Sequence, residues 1–238
     1  MRKISVVYSS IIHREKYAVY YMQGLKTAYW MWHAYKTPKD LTILTLHNYT
    51  EKSLFERSLD FLGIDDYVVL SEQFEGPWRH TLKIQWIVNY LRAGRCKTKY
   101  LLYCDARDSI LRVDPQIVLD LFLERNVSLL FNATMSKKAY YFGMPSMLEW
   151  ARTVAPRLGR YLNSGAFIGK TDFVQKVYER AMDYVDPNQY IVAGDVKRLN
   201  QFLEFPKGMD DQTIFRYLQR EFHPAMSIDY YNRIFYRN

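Results

Sequence analysis

The residues best suited to chemistry are Asp105-Ala106-Arg107-Asp108. They directly follow an apolar run from Tyr100 to Cys104 (YLLYC) that reads as a buried strand. A chain leaving a strand in a tight turn brings carboxylates at i and i+3 to the same side. Two close carboxylates repel unless a cation joins them. A hard divalent ion such as Mn²⁺ or Mg²⁺ takes such oxygen ligands and often adds substrate phosphates. The plainer alternative has Asp108 capping a turn and pairing with Arg107 or Arg112. Position at the carboxyl end of a strand favours the metal, because open α/β sheets bind ligands there.

Three further groups stand out. Asp210-Asp211-Gln212 reads either as a helix N-cap or as carboxylates facing a substrate hydroxyl or a reacting centre. Asn163-Ser164-Gly165-Ala166-Phe167 is a run of small residues that lets backbone approach a ligand, or else a bend where a strand crosses another element. Lys83, beside Arg79 and His80 near a helix start, is a cation within reach of a diphosphate, or part of a solvated helix face. The histidines (His13, His33, His47, His80 and His223) show no metal-ligand spacing. The sequence has no G-x-G-x-x-G, Walker loop, G-x-S-x-G or paired C-x-x-C. Those absences count against a dinucleotide oxidoreductase, a P-loop NTPase, an α/β-hydrolase and a zinc protein.

The elements that must position these groups alternate in period. Strands are predicted at Ile4 to Tyr8, Leu41 to Leu46, Tyr67 to Leu70, Tyr100 to Cys104 and Val127 to Phe131, with a closing strand region at Ser227 to Tyr236. Helices are predicted at Lys16 to Tyr35, Glu51 to Leu62, His80 to Leu91, Asp172 to Tyr184 and Asp211 to Arg220, and one begins at Asp114-Pro115. Gly63 and Gly94 serve as helix stops. Alternation of this kind predicts an α/β fold with a mostly parallel sheet covered on both faces. The residues just after each strand then matter most: Ser9 and Ser10, His47 and Asn48, and Asp105 onward.

Composition bounds the rest. The 238 residues are 49% hydrophobic and 24% charged, ordinary globular usage that excludes a disordered tail, a collagenous repeat and a disulfide scaffold. A chain of this size buries roughly 70% of its unfolded surface and fits a single domain. The 21 Tyr, 13 Phe and 5 Trp supply a solid core and ring platforms for a cleft. The net charge of +8 favours anionic partners such as nucleotide phosphates, or simply keeps the protein soluble. Two cysteines, Cys96 and Cys104, make no framework, and a reducing, cytoplasmic location is expected. No apolar run approaches the roughly 20 residues of a membrane helix. The opening Ile4 to Ile12 stretch is read as a strand, not a signal peptide.

The Y-L-L-Y-C-D-A-R-D-S-I-L segment resembles the metal-binding strand of GT-A glycosyltransferases. It is most similar to the glycosyltransferase domain of procollagen lysyl hydroxylases and the related collagen glycosyltransferases. Y-L-N-S-G-A-F-I-G-K resembles that family's L-x-S-G-G-F-I-G segment, M-D-D-Q-T-I-F its D-D-Q-x-x-F segment, and I-D-Y-Y-N-R-I-F its late D-x-x-x-x-I-F segment. The four occur in the same order across residues 100 to 236.

The resemblance implies a GT-A-like, Rossmann-like single domain over residues 1–238, with a nucleotide-binding half at 1–108 and a sugar and acceptor half at 109–238. It implies a metal-dependent transfer of a hexose from a UDP-sugar to a hydroxyl acceptor, whether glycan, lipid-linked saccharide or protein. Asp105 and Asp108 would hold Mn²⁺ or Mg²⁺. Ser9 and Ser10 would lie near the uridine, Lys83 near the phosphates, and Asn163, Ser164 and Gly165 near the donor sugar. Asp210 and Asp211 would be the catalytic carboxylates. The sequence departs from the family at Arg107, where an aromatic residue normally stacks on uracil. A guanidinium also stacks on a base. Ala166 replaces a glycine, and the family's H-G-x-G histidine ligand has no counterpart, so water and diphosphate are expected to complete the metal shell.

Substitution of Asp105 or Asp108 is expected to abolish turnover and cost little stability, as for exposed strand-end carboxylates. Contact with an anionic membrane surface is compatible with the charge, and no nucleic-acid partner is expected. The competing reading is a non-catalytic nucleotide-sugar or nucleic-acid binding module, whose Tyr-rich basic surface would stack single-stranded bases. Scattered Lys and Arg residues and the absence of RNP-type or OB-type motifs weigh against it. A sugar-nucleotide pyrophosphorylase would need a Gly-rich N-terminal loop that the sequence lacks.

Overall fold

The computed structural model describes residues 7–9, 35–74, 76–134, 145–156, 161–190 and 206–236. The helix predicted at Lys16 to Tyr35 lies outside them except for Tyr35, as does Ser10.

In chain order the strands are β1 (Val7–Ser9), β2 (Leu41–Leu46), β3 (Val68–Leu70), β4 (Tyr100–Cys104), β5 (Ser109–Leu111), β6 (Leu129–Thr134), β7 (Tyr161–Lys170), β8 (Met226–Ile228) and β9 (Phe235–Tyr236). The helices are α1 (Leu54–Phe61), α2 (Thr81–Arg92), α3 (Pro115–Leu123), α4 (Pro145–Val154), α5 (Thr171–Met182) and α6 (Asp211–Phe222). Six strands form one sheet in the order β3-β2-β4-β7-β6-β8. Its pairings are parallel except for the two made by β7, which alone runs against the others. The protein is a single α/β domain with this mostly parallel mixed sheet at its centre.

Both faces of the sheet are covered, which is why its strands read as apolar almost throughout. Leu44, Leu46, Leu101, Tyr103, Phe131 and Phe167 face a core built with α2, α5 and α6. The alternate residues Leu41, Ile43, Leu102, Cys104 and Ile168 face a second core built with α1 and α3. The side-chain period of two sends neighbouring residues of one strand into different cores.

Local chemistry sets the helix ends. Glu51 to Leu62 was the expected span for α1, but the helix begins later, because Ser53 and Glu56 form a capping box. Ser53 Oγ accepts from the Glu56 N–H at 3.2 Å, and Glu56 Oε2 accepts from the Ser53 N–H at 2.7 Å. Gly63, at φ 72°, supplies the left-handed residue that ends it. Asp114 and Pro115 start α3 as the sequence predicts. Neither β5 nor α4 was expected. The first is only three residues long, and the second packs in a small cluster of its own around Met147, Ala151 and Tyr161.

The first strand differs from expectation. β1 does not enter the large sheet; it pairs antiparallel with β5 and parallel with β9 in a three-stranded sheet. β2 and β7 flank β4, so these two strands lie beside the acidic loop. An apolar run announces a strand but carries no record of its neighbours.

Candidate functional site

A cleft of about 670 Å³ opens at the carboxyl ends of β2 and β4. One wall comes from the residues after β2 (His47, Asn48 and Tyr49) and another from the 105–108 loop. A third comes from the middle of β7, and the last from the starts of α2 and α6. Nine of the residues predicted from sequence line it together: Lys83, Asp105, Arg107, Asp108, Asn163, Ser164, Gly165, Asp210 and Asp211. Ser9 ends β1 in the three-stranded sheet, where it pairs with Ser109 directly after the 105–108 loop.

β7 reaches the cleft through an irregularity. Phe131 pairs with Phe167, yet the next residue, Asn132, pairs with Asn163. Residues 164–166 are therefore extra on the β6 side, a bulge of the kind that re-aims a strand next to a site. Its backbone is tied to β4, because the Asp105 N–H donates to Gly165 O at 2.7 Å. The fit leaves no room for a side chain. A Cβ on Gly165 would stand 2.8 Å from Asp105 Oδ2 and 3.0 Å from Asn163 Oδ1. Asn163 is itself fixed: Nδ2 donates to Gln212 Oε1 at 2.8 Å, and Oδ1 accepts from Asn132 Nδ2 at 3.3 Å.

Asp105 is not a free surface carboxylate. Its Oδ1 accepts from Tyr103 Oη at 2.7 Å and from Lys83 Nζ at 3.1 Å, and its side chain is only 33% exposed. It therefore differs from the exposed strand-end carboxylate that the sequence suggested. Asp108 is partly exposed and Arg107 exposed. Arg107 therefore stands free to lie along a planar group.

Lys83 is buried. Its ammonium donates to Asp105 Oδ1 and to Ser164 O at 3.2 Å, and stands 2.8 Å from Asp211 Oδ2. The last contact is an ion pair whose angle is poor for a hydrogen bond, so Asp211 Oδ2 lacks a well-aligned donor. The ammonium also sits 5.3 Å from the centre of the Tyr103 ring, a cation–π distance. Burial alone would lower the Lys83 pKa, but the Asp105 and Asp211 carboxylates outweigh it and hold the pKa above the usual lysine range. Burial likewise pushes Asp211 up, and the Lys83 ammonium brings it below the usual carboxylate range. Tyr103 is pushed well up by burial and by Asp105, so its hydroxyl stays a donor.

Asp210 and Asp211 make different contacts. Asp210 is the N-cap of α6, accepting from the Thr213 N–H at 2.8 Å. Asp211 is the first helical residue and carries the ion pair.

Sequence reading missed the aromatic wall. Tyr49 and Trp78 line the cleft with 46% and 37% exposure. Trp78 is braced edge-on by Phe74 and Trp86, each with ring centres 5.7 Å away. Exposed aromatics flanking strand ends were the only available signal, and in a chain with 39 aromatic residues that signal does not stand out.

Among the described residues, no three His, Cys, Asp or Glu side chains group to hold a metal ion. Asp105 and Asp108 both line the cleft and offer two carboxylates. That suits Mg²⁺-like ions, which keep water and take substrate phosphates beside one or two carboxylates. The side-chain-free cradle of Gly165 beside Asp105 Oδ2 agrees with that fit. No described helix is long and apolar enough to cross a membrane. No protein-family model matches the chain, and no curated protein sequence does either.

Proposed function

We propose that the protein is a metal-dependent glycosyltransferase of GT-A-like architecture that transfers a hexose from a UDP-sugar to a hydroxyl acceptor. The observation that carries this reading is the convergence of Asp105, Asp108, Lys83, Gly165 and Asp211 on one cleft at the carboxyl end of β4.

Asp105 and Asp108 would hold Mn²⁺ or Mg²⁺, with diphosphate oxygens and water completing the shell. When bound, such an ion neutralises charge developing on the departing nucleoside diphosphate. The chain's own residues prepare the site. Lys83 and Tyr103 fix the Asp105 carboxylate, which limits reorganisation during reaction. Lys83 acts as a resident cation between two carboxylates; it donates to Asp105 Oδ1 and Ser164 O and pairs ionically with Asp211, so it holds the site in shape rather than reaching into solvent. Gly165 and Asn163 give the sugar a close, polar floor. Asp211 stays ionised at neutral pH. A depressed pKa suits accepting a hydroxyl hydrogen bond better than removing a proton.

The test is a thermal-shift series with UDP, GDP, ADP and CDP, each with Mn²⁺, Mg²⁺ or EDTA. UDP at about 100 times its Kd adds roughly 2.7 kcal/mol, a Tm rise of roughly 5–10 °C for a domain of this size. Stabilisation by UDP only with metal is expected, followed by release of UDP from a UDP-hexose. Absence of a shift with every nucleotide would overturn the reading. Metal-independent, strongly salt-sensitive binding of single-stranded nucleic acid would replace it with the binding-module alternative.

A further inference from the structure

We infer that His47 is a positioning residue that holds Tyr49 as a flat wall for the nucleobase of the donor. This rests on the UDP-sugar reading above.

The order of strands divides the cleft. β4 carries the acidic loop, with β2 on one side and β7 on the other. The β7 side is small and polar, formed by Asn163 and Gly165 with Asp211 near by. The β2 side presents the Tyr49 ring. A diphosphate anchored at the acidic loop therefore extends its sugar toward β7 and its nucleoside toward β2. Of the five large apolar side chains exposed among the described residues, two line this cleft, and Tyr49 is the one that follows β2.

Tyr49 is built into place. The His47 and Tyr49 rings stack with centres 4.8 Å apart and planes 18° from parallel. His47 Nδ1 accepts from the Tyr49 backbone N–H at 3.1 Å. That places the ring proton on Nε2, which donates to Glu56 Oε2 at 2.7 Å. Glu56 is anchored in turn by the capping box of α1. Burial pushes its carboxyl up, but the Ser53 hydrogen bonds bring it below the usual range, so it is a carboxylate acceptor. His47 and Glu56 are both buried. A polar chain thus runs from the start of α1 through Glu56 and His47 to the Tyr49 backbone. A loop that only closed a surface would not need it.

The experiment combines amide exchange at Tyr49, the ¹⁵N spectrum of the His47 ring, and calorimetric UDP affinity with Mn²⁺. The variants are Tyr49→Ala, Tyr49→Phe, His47→Gln and His47→Asn. Asn places an oxygen where Nδ1 stands, whereas Gln keeps only the link to Glu56. The wild-type ring is expected to show the neutral, Nε2-protonated form, with slow exchange at the Tyr49 amide. Tyr49→Ala should weaken UDP about tenfold, as loss of one base–aromatic stack does, and Tyr49→Phe should bind more tightly than Tyr49→Ala. His47→Gln should speed Tyr49 exchange and weaken UDP, with His47→Asn restoring both in part. Wild-type UDP affinity in Tyr49→Ala, or slow Tyr49 exchange in His47→Gln, would overturn the inference. If His47→Gln fails to fold, Tyr49→Ala and the wild-type ring spectrum still decide it. Failure of the wild type to bind UDP, with the exchange pattern as expected, would instead overturn the donor reading and the base role together.

Discussion

Lys83 Nζ stands 2.8 Å from Asp211 Oδ2, with 6% and 4% of the two side chains exposed, and so joins the start of α2 to the start of α6 beneath the cleft floor. The same ammonium holds Asp105 on β4 and a carbonyl of β7. One cation thus ties four elements together at this end of the sheet. Such a buried pair adds little stability over a well-packed apolar pair, but breaking it leaves a buried charge. Its place in the cleft fits a role in geometry more than in stability.

Lys83→Met should therefore destabilise the fold by about 3–5 kcal/mol, a Tm loss of roughly 10 °C. The double variant Lys83→Met/Asp211→Asn removes both charges and should recover much of that loss. Thermal melts in EDTA, which exclude any metal contribution, make the comparison. A single variant melting like the wild type would show that the ammonium is not needed to compensate Asp211.

Much of this site was legible because its residues lie at strand ends. Asp105 and Asp108 follow β4 directly; Asp210 and Asp211 start α6 and read equally as a cap or as site carboxylates until the resemblance favoured the second. Gly165 was legible as a small residue, but not its reason, since its contact with Asp105 is 60 residues away in sequence. Lys83 was read as a phosphate-reaching cation because sequence shows charge and not burial. That β1 pairs with β5 and β9 and not with the main sheet was not legible, because strand order is a property of long-range pairing and leaves no local pattern. His47 was flagged by position, whereas Glu56 was not singled out, and their 2.7 Å contact depends on how β2 and α1 pack.

Glu56 sets an acid limb of stability that needs no metal. Its pKa is lowered in the folded state, so its contribution is present above the unfolded value of about 4.3 and is lost as pH falls through the folded one. Melts between about pH 3 and 7 should show Glu56→Gln losing less stability on acidification than the wild type. Parallel profiles would remove Glu56 as the cause.

The two loop aspartates should behave differently. Asp108 is partly exposed, so Asp108→Ala should cost about 1 kcal/mol or less while abolishing the Mn²⁺-dependent UDP shift. Asp105→Ala strips a partner from Lys83 and from Tyr103 and should cost about 1–3 kcal/mol as well. Equal melting temperatures for the two variants in EDTA would contradict the geometry. A retained UDP shift in Asp108→Ala would remove it from the metal site.

Gly165→Ala is the sharpest steric probe of the cleft. The added methyl would meet Asp105 Oδ2 at 2.8 Å and Asn163 Oδ1 at 3.0 Å. Neither neighbour yields cheaply. Asp105 is held by Lys83 and Tyr103, and Asn163 by Gln212 and Asn132. Relief must therefore come from displacing the carboxylate or opening the β4–β7 contact. Overpacking of this kind costs about 1–3 kcal/mol, and a carboxylate misplaced by an ångström can lower turnover about a hundredfold. The variant should thus fold, melt several degrees lower, and lose UDP-hexose turnover far beyond that loss of stability. Normal turnover in Gly165→Ala would mean that the position of Asp105 is not critical to the reaction.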